Sequence, residues 1–183
     1  MGNPPTGNPI FTIGHSTRPI TEFVALLRRS EIAMVADVRS LPGSRTNPQY
    51  NRDALNASLA DANIGYEHIA ALGGRRGRSR DVAPAVNDFW ENASFHNFAD
   101  YAMSDVFRDG VTRLRELARG QRCAVMCSEA VWWRCHRRII ADYLVHAGES
   151  VFHIIGAARV EPARMTPSAK PGDDDALTYR AGA

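Results

Sequence analysis

The residue types best suited to covalent or metal chemistry are gathered in one stretch. Cys123-Ala-Val-Met-Cys127-Ser-Glu129-Ala-Val-Trp132-Trp133-Arg134-Cys135-His136-Arg137-Arg138 holds all three cysteines of the 183-residue chain. A thiol becomes a nucleophile when a helix N-terminus or nearby cations ionise it. Cys127 is followed seven positions later by Arg134, and a helical pattern starts just beyond. Cys127 is therefore the expected nucleophile or redox thiol, with Glu129 the first choice as proton carrier and His15 the second. The plan is similar to the strand, cysteine loop, arginine and helix of cysteine phosphatases and sulfurtransferases. It departs from theirs in one extra residue, a loop without glycine, and two tryptophans, so a backbone cradle for phosphate is not expected. The plainer alternative is a small buried hydrophobe at a strand end. Glu129 and the flanking arginines argue against so apolar a setting.

The same letters offer a second chemistry. Cys123, Cys127, Cys135 and His136 are four potential ligands of a kind that suits zinc. Structural zinc sites, however, pair their ligands two to four residues apart, and the gap from Cys127 to Cys135 is longer. No metal ligand is therefore assigned, and the cofactor is unknown at this stage.

These residues must be positioned by the elements around them. Ile10 to Ile13 reads as a short apolar strand that ends at Gly14-His15-Ser16-Thr17-Arg18. Pro19 then suits the first turn of a helix with Ile20, Phe23, Val24 and Leu27 on one face. Ile32 to Val38 is almost continuously apolar, as in a parallel strand covered on both faces, and delivers Asp37 and Arg39. A turn-rich loop, a helix over Asn51 to Ala62 and a strand over Ile64 to Ile69 follow. Leu72 to Arg80 is a glycine-hinged basic loop with four arginines, expected to act as a mobile lid. Two further helices end at Gly120. The cysteine stretch then supplies a fourth strand and its helix, and Val151 to Ile155 a fifth strand.

Strands alternating with helices predict an α/β fold, a single-domain three-layer sandwich with a mostly parallel central sheet of about five strands. Its boundaries are residues 9–156, after a loose lead-in over 1–8 and before a polar tail over 157–183 that composition predicts to be extended or disordered. Right-handed crossovers place the C-terminal strand ends on one edge. That edge collects His15, Ser16, Asp37, Arg39, Cys127 and Glu129.

The arginines suggest the substrate class. Of 22 basic residues only Lys170 is a lysine, and the planar guanidinium matches phosphate or carboxylate. The expected partner is an anionic small molecule, a nucleotide type above all, or nucleic acid. Ser16, Arg18, Asp37, Arg39, Trp133, Arg134, His136 and Arg137 are the expected substrate-binding residues. For Asp37 and Arg39 an internal ion pair explains the pairing equally well, and His136 reads alternatively as a satisfied core histidine. Trp132 and Trp133 cannot share a face, so one packs while the other is free to stack on a flat ligand. The odd cysteine count and the lack of a hydrophobic leader or membrane-length apolar run predict a cytoplasmic protein with free thiols and no membrane partner.

The motifs together resemble a known family. Ile13-Gly14-His15-Ser16-Thr17-Arg18, Asp37-Val38-Arg39 followed by Pro42, Ser44 and Arg45, Tyr66 with His68, Leu72-Gly73-Gly74, and Cys127-Ser-Glu129 with Cys135-His136-Arg137 are similar to domain-of-unknown-function family 488. The resemblance spans most of residues 10 to 155 and implies a prokaryotic single-domain α/β protein, with no reaction attached. The functional expectation is thus a thiol-dependent enzyme acting in an arginine-lined pocket. A non-catalytic nucleic-acid-binding module and a metal site are the alternatives.

Overall fold

The computed structural model describes residues 7–182. Apart from Gly7 and Asn8, the expected lead-in lies outside the described residues. Strand β1 (Ile10–Gly14) leads to helix α1 (Ile20–Arg29), β2 (Met34–Asp37), α2 (Arg52–Asp61) and β3 (Gly65–His68). After a long loop come α3 (Ala93–Ala102), α4 (Asp105–Gly120), β4 (Cys123–Cys127), α5 (Arg137–His146) and β5 (Val151–Gly156). Strand β6 (Arg159–Pro162) and the pair β7 (Ala169–Pro171) and β8 (Leu177–Tyr179) close the chain.

The central sheet has the order β3-β2-β4-β1-β5-β6. Strands β1 to β5 are parallel, and β6 runs antiparallel to β5 on the edge. The arrangement is the three-layer α/β sandwich expected from the alternation of elements. Because side chains alternate along a strand, β4 feeds two cores at once. Cys123, Val125 and Cys127 pack with the apolar residues of α3, α4 and α5, while Ala124 and Met126 pack with those of α1 and α2. Strand β4 lies between β1 and β2, pairing Gly14 with Cys127 on one side and Asp37 with Met126 on the other. Three chain-distant strand ends are thereby fixed side by side.

Local sequence sets the helix ends. The Asn92 side chain accepts from the backbone N–H groups of Ser94 and Phe95 at the start of α3, and Ser104 Oγ accepts from Phe107 N at the start of α4. Gly148, at φ 84°, turns the chain out of α5 in a conformation that costs other residues a clash. Among the described residues no helix is long and apolar enough to cross a membrane.

The segment after residue 156 differs from its expectation. It forms β6 and the β7–β8 hairpin, and Leu177 and Tyr179 are fully buried. Few apolar residues suffice because Tyr179 is tied at several points: its hydroxyl donates to Asp142 Oδ2 at 3.0 Å and its backbone N–H to Asn87 Oδ1 at 3.0 Å.

One buried histidine sets an acid limit on stability. His153 on β5 shares a 2.7 Å hydrogen bond with Thr12 Oγ1, and burial lowers its pKa to about 4. The neutral ring is favoured in the fold, so its stabilising effect is complete above the unfolded value of about 6.5 and is lost as pH falls from there toward about 4. Urea unfolding is expected to lose about 1.4 kcal/mol per pH unit through this one group in that window. His153→Asn should flatten the slope by that amount, and an unchanged slope would contradict it.

Candidate functional site

A cleft of about 920 Å³ opens over the C-terminal ends of β1, β2 and β4. Its construction starts with glycine. A Cβ on Gly14 would run into the backbone of Glu129 and Ala130, with the Glu129 carbonyl carbon at 2.7 Å and Ala130 Cα at 3.0 Å. Only a bare Cα lets the loop after β4 cross β1 so closely. The crossing is held by two backbone bonds, His15 N to Cys127 O and Ser16 N to Ser128 O, both 2.9 Å.

The loop then doubles back. A single 3-10 turn over Trp132–Arg134 returns Cys135 and His136 to the side of Cys127. Trp132 anchors it, stacked on His153 at 4.2 Å and 7°, with its indole N–H donating to Glu161. His136 Nδ1 lies 3.9 Å from Cys127 Sγ and 3.5 Å from Cys135 Sγ, and the three atoms are all within 4.8 Å of one another. His136 Nε2 donates to Val38 O at 2.9 Å, so the ring proton is there and the Nδ1 lone pair faces the two sulfurs.

Arg137 is 1 % exposed and donates to Glu129 O and, at 3.3 Å, to Cys135 Sγ. No carboxylate of the described residues pairs with it. A buried guanidinium requires a counter-charge, and the Cys135 sulfur is the one it touches. Burial works against a thiolate at Cys135. The neighbouring Cys127 thiol and the Arg137 charge outweigh it and bring the pKa to about 6. Cys127 is shifted the other way: the neighbouring Cys135 sulfur, then burial, push its pKa up to about 12.

Beneath the other wall, Asp37 is fully buried and accepts from Arg39 N, Nε and Nη2, the last at 2.7 Å, and from Tyr66 OH at 2.7 Å. The internal ion pair is thus present. Burial opposes the charge on Arg39, but these bonds win and raise its pKa. Arg39 Nη1 points at His15 Nε2 at 3.4 Å, and His15 Nδ1 donates to Ser16 O at 2.8 Å. His15 stacks on Tyr50 at 4.0 Å, and its pKa is lowered to about 4, chiefly by burial.

Of the residues expected at the site, His15, Ser16, Arg39, Cys127, Glu129, Arg134 and His136 line this one cleft. Asp37 supports it from below. Three others stand elsewhere. Arg137 lies beneath the loop, where a ligand does not reach it. Arg18 donates to Gly14 O and Ile155 O and pairs with Glu22. Trp133 is 43 % exposed but outside the lining. Cys123 sits at the opposite end of β4 from Cys127 and takes no part.

The basic loop is less free than its composition predicts. Arg75 N donates to Ser40 Oγ, and Arg76 bonds to Gly73 O and Ala70 O while its guanidinium lies 3.7 Å over the Tyr101 ring. Arg75 stays exposed and lines the cleft, as Arg134 does. Ser40 and Phe95, not among the expected site residues, also line the cleft. Gly74 packs so close to His136 that a Cβ would meet the ring Cγ at 2.7 Å, and the Gly73-Gly74 pair was the available signal.

The family model described as domain of unknown function DUF488 matches residues 19–144, over two thirds of the chain. The matched span takes in β2, β4, the sulfur and imidazole cluster and the arginine rim, and begins just after the Gly14 crossing. No curated protein and no solved structure matches the chain. With its cleft wall and floor inside the matched segment, the chain belongs to the DUF488 family.

Proposed function

We propose that the chain is an enzyme acting at the cleft floor on an anionic substrate of the nucleotide type. The observation that carries this reading is convergence. Cys127, Cys135 and His136 meet at the bottom of a cleft whose walls carry Arg39, Arg75 and Arg134. Arginine forks grip phosphate through two parallel bonds. Leu41 and Phe95 give the lining apolar surface beside its charges, which favours a ligand joining a flat organic part to its charge. The volume lies within the range of small-molecule sites. The reactive group is the cysteine pair, with Cys135 the ionised sulfur and Cys127 the thiol that shares its proton, and the Glu129 carboxylate on the rim is the proton carrier.

Calorimetric titration with a nucleoside monophosphate, its nucleoside and inorganic phosphate tests the substrate class. The monophosphate should bind about tenfold or more tightly than the nucleoside, and an Arg75→Ala/Arg134→Ala chain should lose about 10- to 100-fold, as expected for charge-assisted bonds of about 1.5–3 kcal/mol. Equal affinity in parent and variant would overturn the reading. Affinity that instead climbs with oligonucleotide length and collapses with salt would identify a nucleic-acid-binding module. For the chemistry, Cys135→Ser should abolish turnover while monophosphate affinity stays within about threefold.

A further inference from the structure

We infer that Cys127, Cys135 and His136 form a three-ligand site for a thiophilic divalent cation, zinc foremost, with the fourth coordination position open to the cleft. Geometry carries the inference. Zinc bonds of about 2.3 Å to sulfur and about 2.05 Å to nitrogen, at a tetrahedral angle, put the two ligand atoms about 3.6 Å apart. The two sulfurs lie 3.9 and 3.5 Å from His136 Nδ1. The two sulfur-to-nitrogen spacings thus already stand near coordination distance, and the sulfurs lie within 4.8 Å of each other, so closing that gap toward the about 3.8 Å of a tetrahedral site completes the set.

The surroundings match a metal site in two further respects. A ligating histidine is normally oriented by its other ring nitrogen, which donates to a carbonyl or carboxylate. His136 does this through Nε2 to Val38 O, leaving the Nδ1 lone pair to bind a cation held beside the sulfurs. Arg137 donates to Cys135 Sγ, a bond that favours the thiolate form a metal requires.

All three ligands line the cleft, and three protein ligands plus an open position is the pattern of catalytic rather than structural zinc. Two thiolates, a divalent cation and buried Arg137 leave one net positive charge, which an anionic oxygen in the fourth position neutralises. The inference rests on the proposed function for its substrate class and alters its chemistry: with both sulfurs bound to the cation, Cys127 gives up its proton and the pair is no longer the nucleophile, and a substrate phosphate oxygen reaching the floor would complete the coordination. Cys123 is excluded by its place at the far end of β4.

Full-length protein purified without chelator should carry about one zinc per chain by elemental analysis. After dialysis to the metal-free form, titration with cobalt(II) should give tetrahedral visible bands and thiolate-to-cobalt charge-transfer absorption, saturating at about one equivalent. His136→Ala and Cys127→Ser, each checked for folding by circular dichroism, should lose this absorption, and Cys123→Ser should keep it. Absence of both zinc and the cobalt spectrum would overturn the inference, as would an unchanged spectrum in a folded His136→Ala chain. The substrate reading separates cleanly: monophosphate binding that persists in metal-free protein without a cobalt spectrum removes the metal alone. A cobalt spectrum that monophosphate fails to perturb keeps the metal and removes the phosphate from its fourth position.

Discussion

Gly14→Ala is expected to cost about 3 kcal/mol or more, the upper end of overpacking penalties, out of the roughly 5–15 kcal/mol that hold such a domain together. The added methyl would meet backbone rather than a yielding side chain tip, since its nearest neighbours are the Glu129 carbonyl and Ala130 Cα. For the loop to retreat, His15 N and Ser16 N must release the carbonyls of Cys127 and Ser128. Arg137 would also lose its bond to Glu129 O. The damage therefore reaches the sulfur cluster even where the fold survives. A urea melt should show a lowered midpoint, and cysteine labelling at Cys135 should rise as its cover loosens. A midpoint equal to the parent's would show that the crossing has more slack than the backbone contacts imply.

Asp37→Ala should cost a comparable about 3–5 kcal/mol, because removing one partner of a buried ion pair strands the other charge. Arg39 is only 5 % exposed, and the same carboxylate holds Tyr66 OH and Arg39 N. The diagnostic is the double variant Asp37→Leu/Arg39→Met. It removes both charges, so it should be more stable than Asp37→Ala despite carrying one more substitution. If the double variant is the weaker of the two in urea, the pair contributes more to the fold than desolvation arguments allow.

The elements were legible for physical reasons. A parallel strand covered on both faces reads as a nearly continuous apolar run, as Ile32 to Val38 does with Asp37 as its one charged residue, and α1 and α5 show the 3.6-residue period of a helix with one buried side. The convergence of His15, Arg39, Cys127 and Glu129 on one edge follows from right-handed crossovers. What was not legible depended on backbone groups, which have no letter. The Cys127 to Cys135 gap looked too long for a shared site because nothing in the spelling announces the turn at Trp132–Arg134 or its anchor on His153. Arg137 looked like a ligand for substrate because its acceptors are a main-chain carbonyl and a sulfur two residues away. The tail looked structureless because average composition hides what Leu177 and Tyr179 do once a hydroxyl, an amide and a carboxylate converge on them.

The position of β4 has a consequence for biosynthesis. Strands β1 and β2 share no ladder with each other; each pairs with β4, whose Cys123 leaves the ribosome 113 residues after its β1 partner Ile10 and 89 residues after its β2 partner Met34. A nascent chain halted before Cys123 holds both walls of the cleft with no common neighbour to align them. Insertion of that one strand joins the two halves of the sheet and brings the sulfurs into place in a single step. Closure of so long a loop is slow, so Cys127, Cys135 and His136 meet His15 and Arg39 only after β4 has entered the sheet.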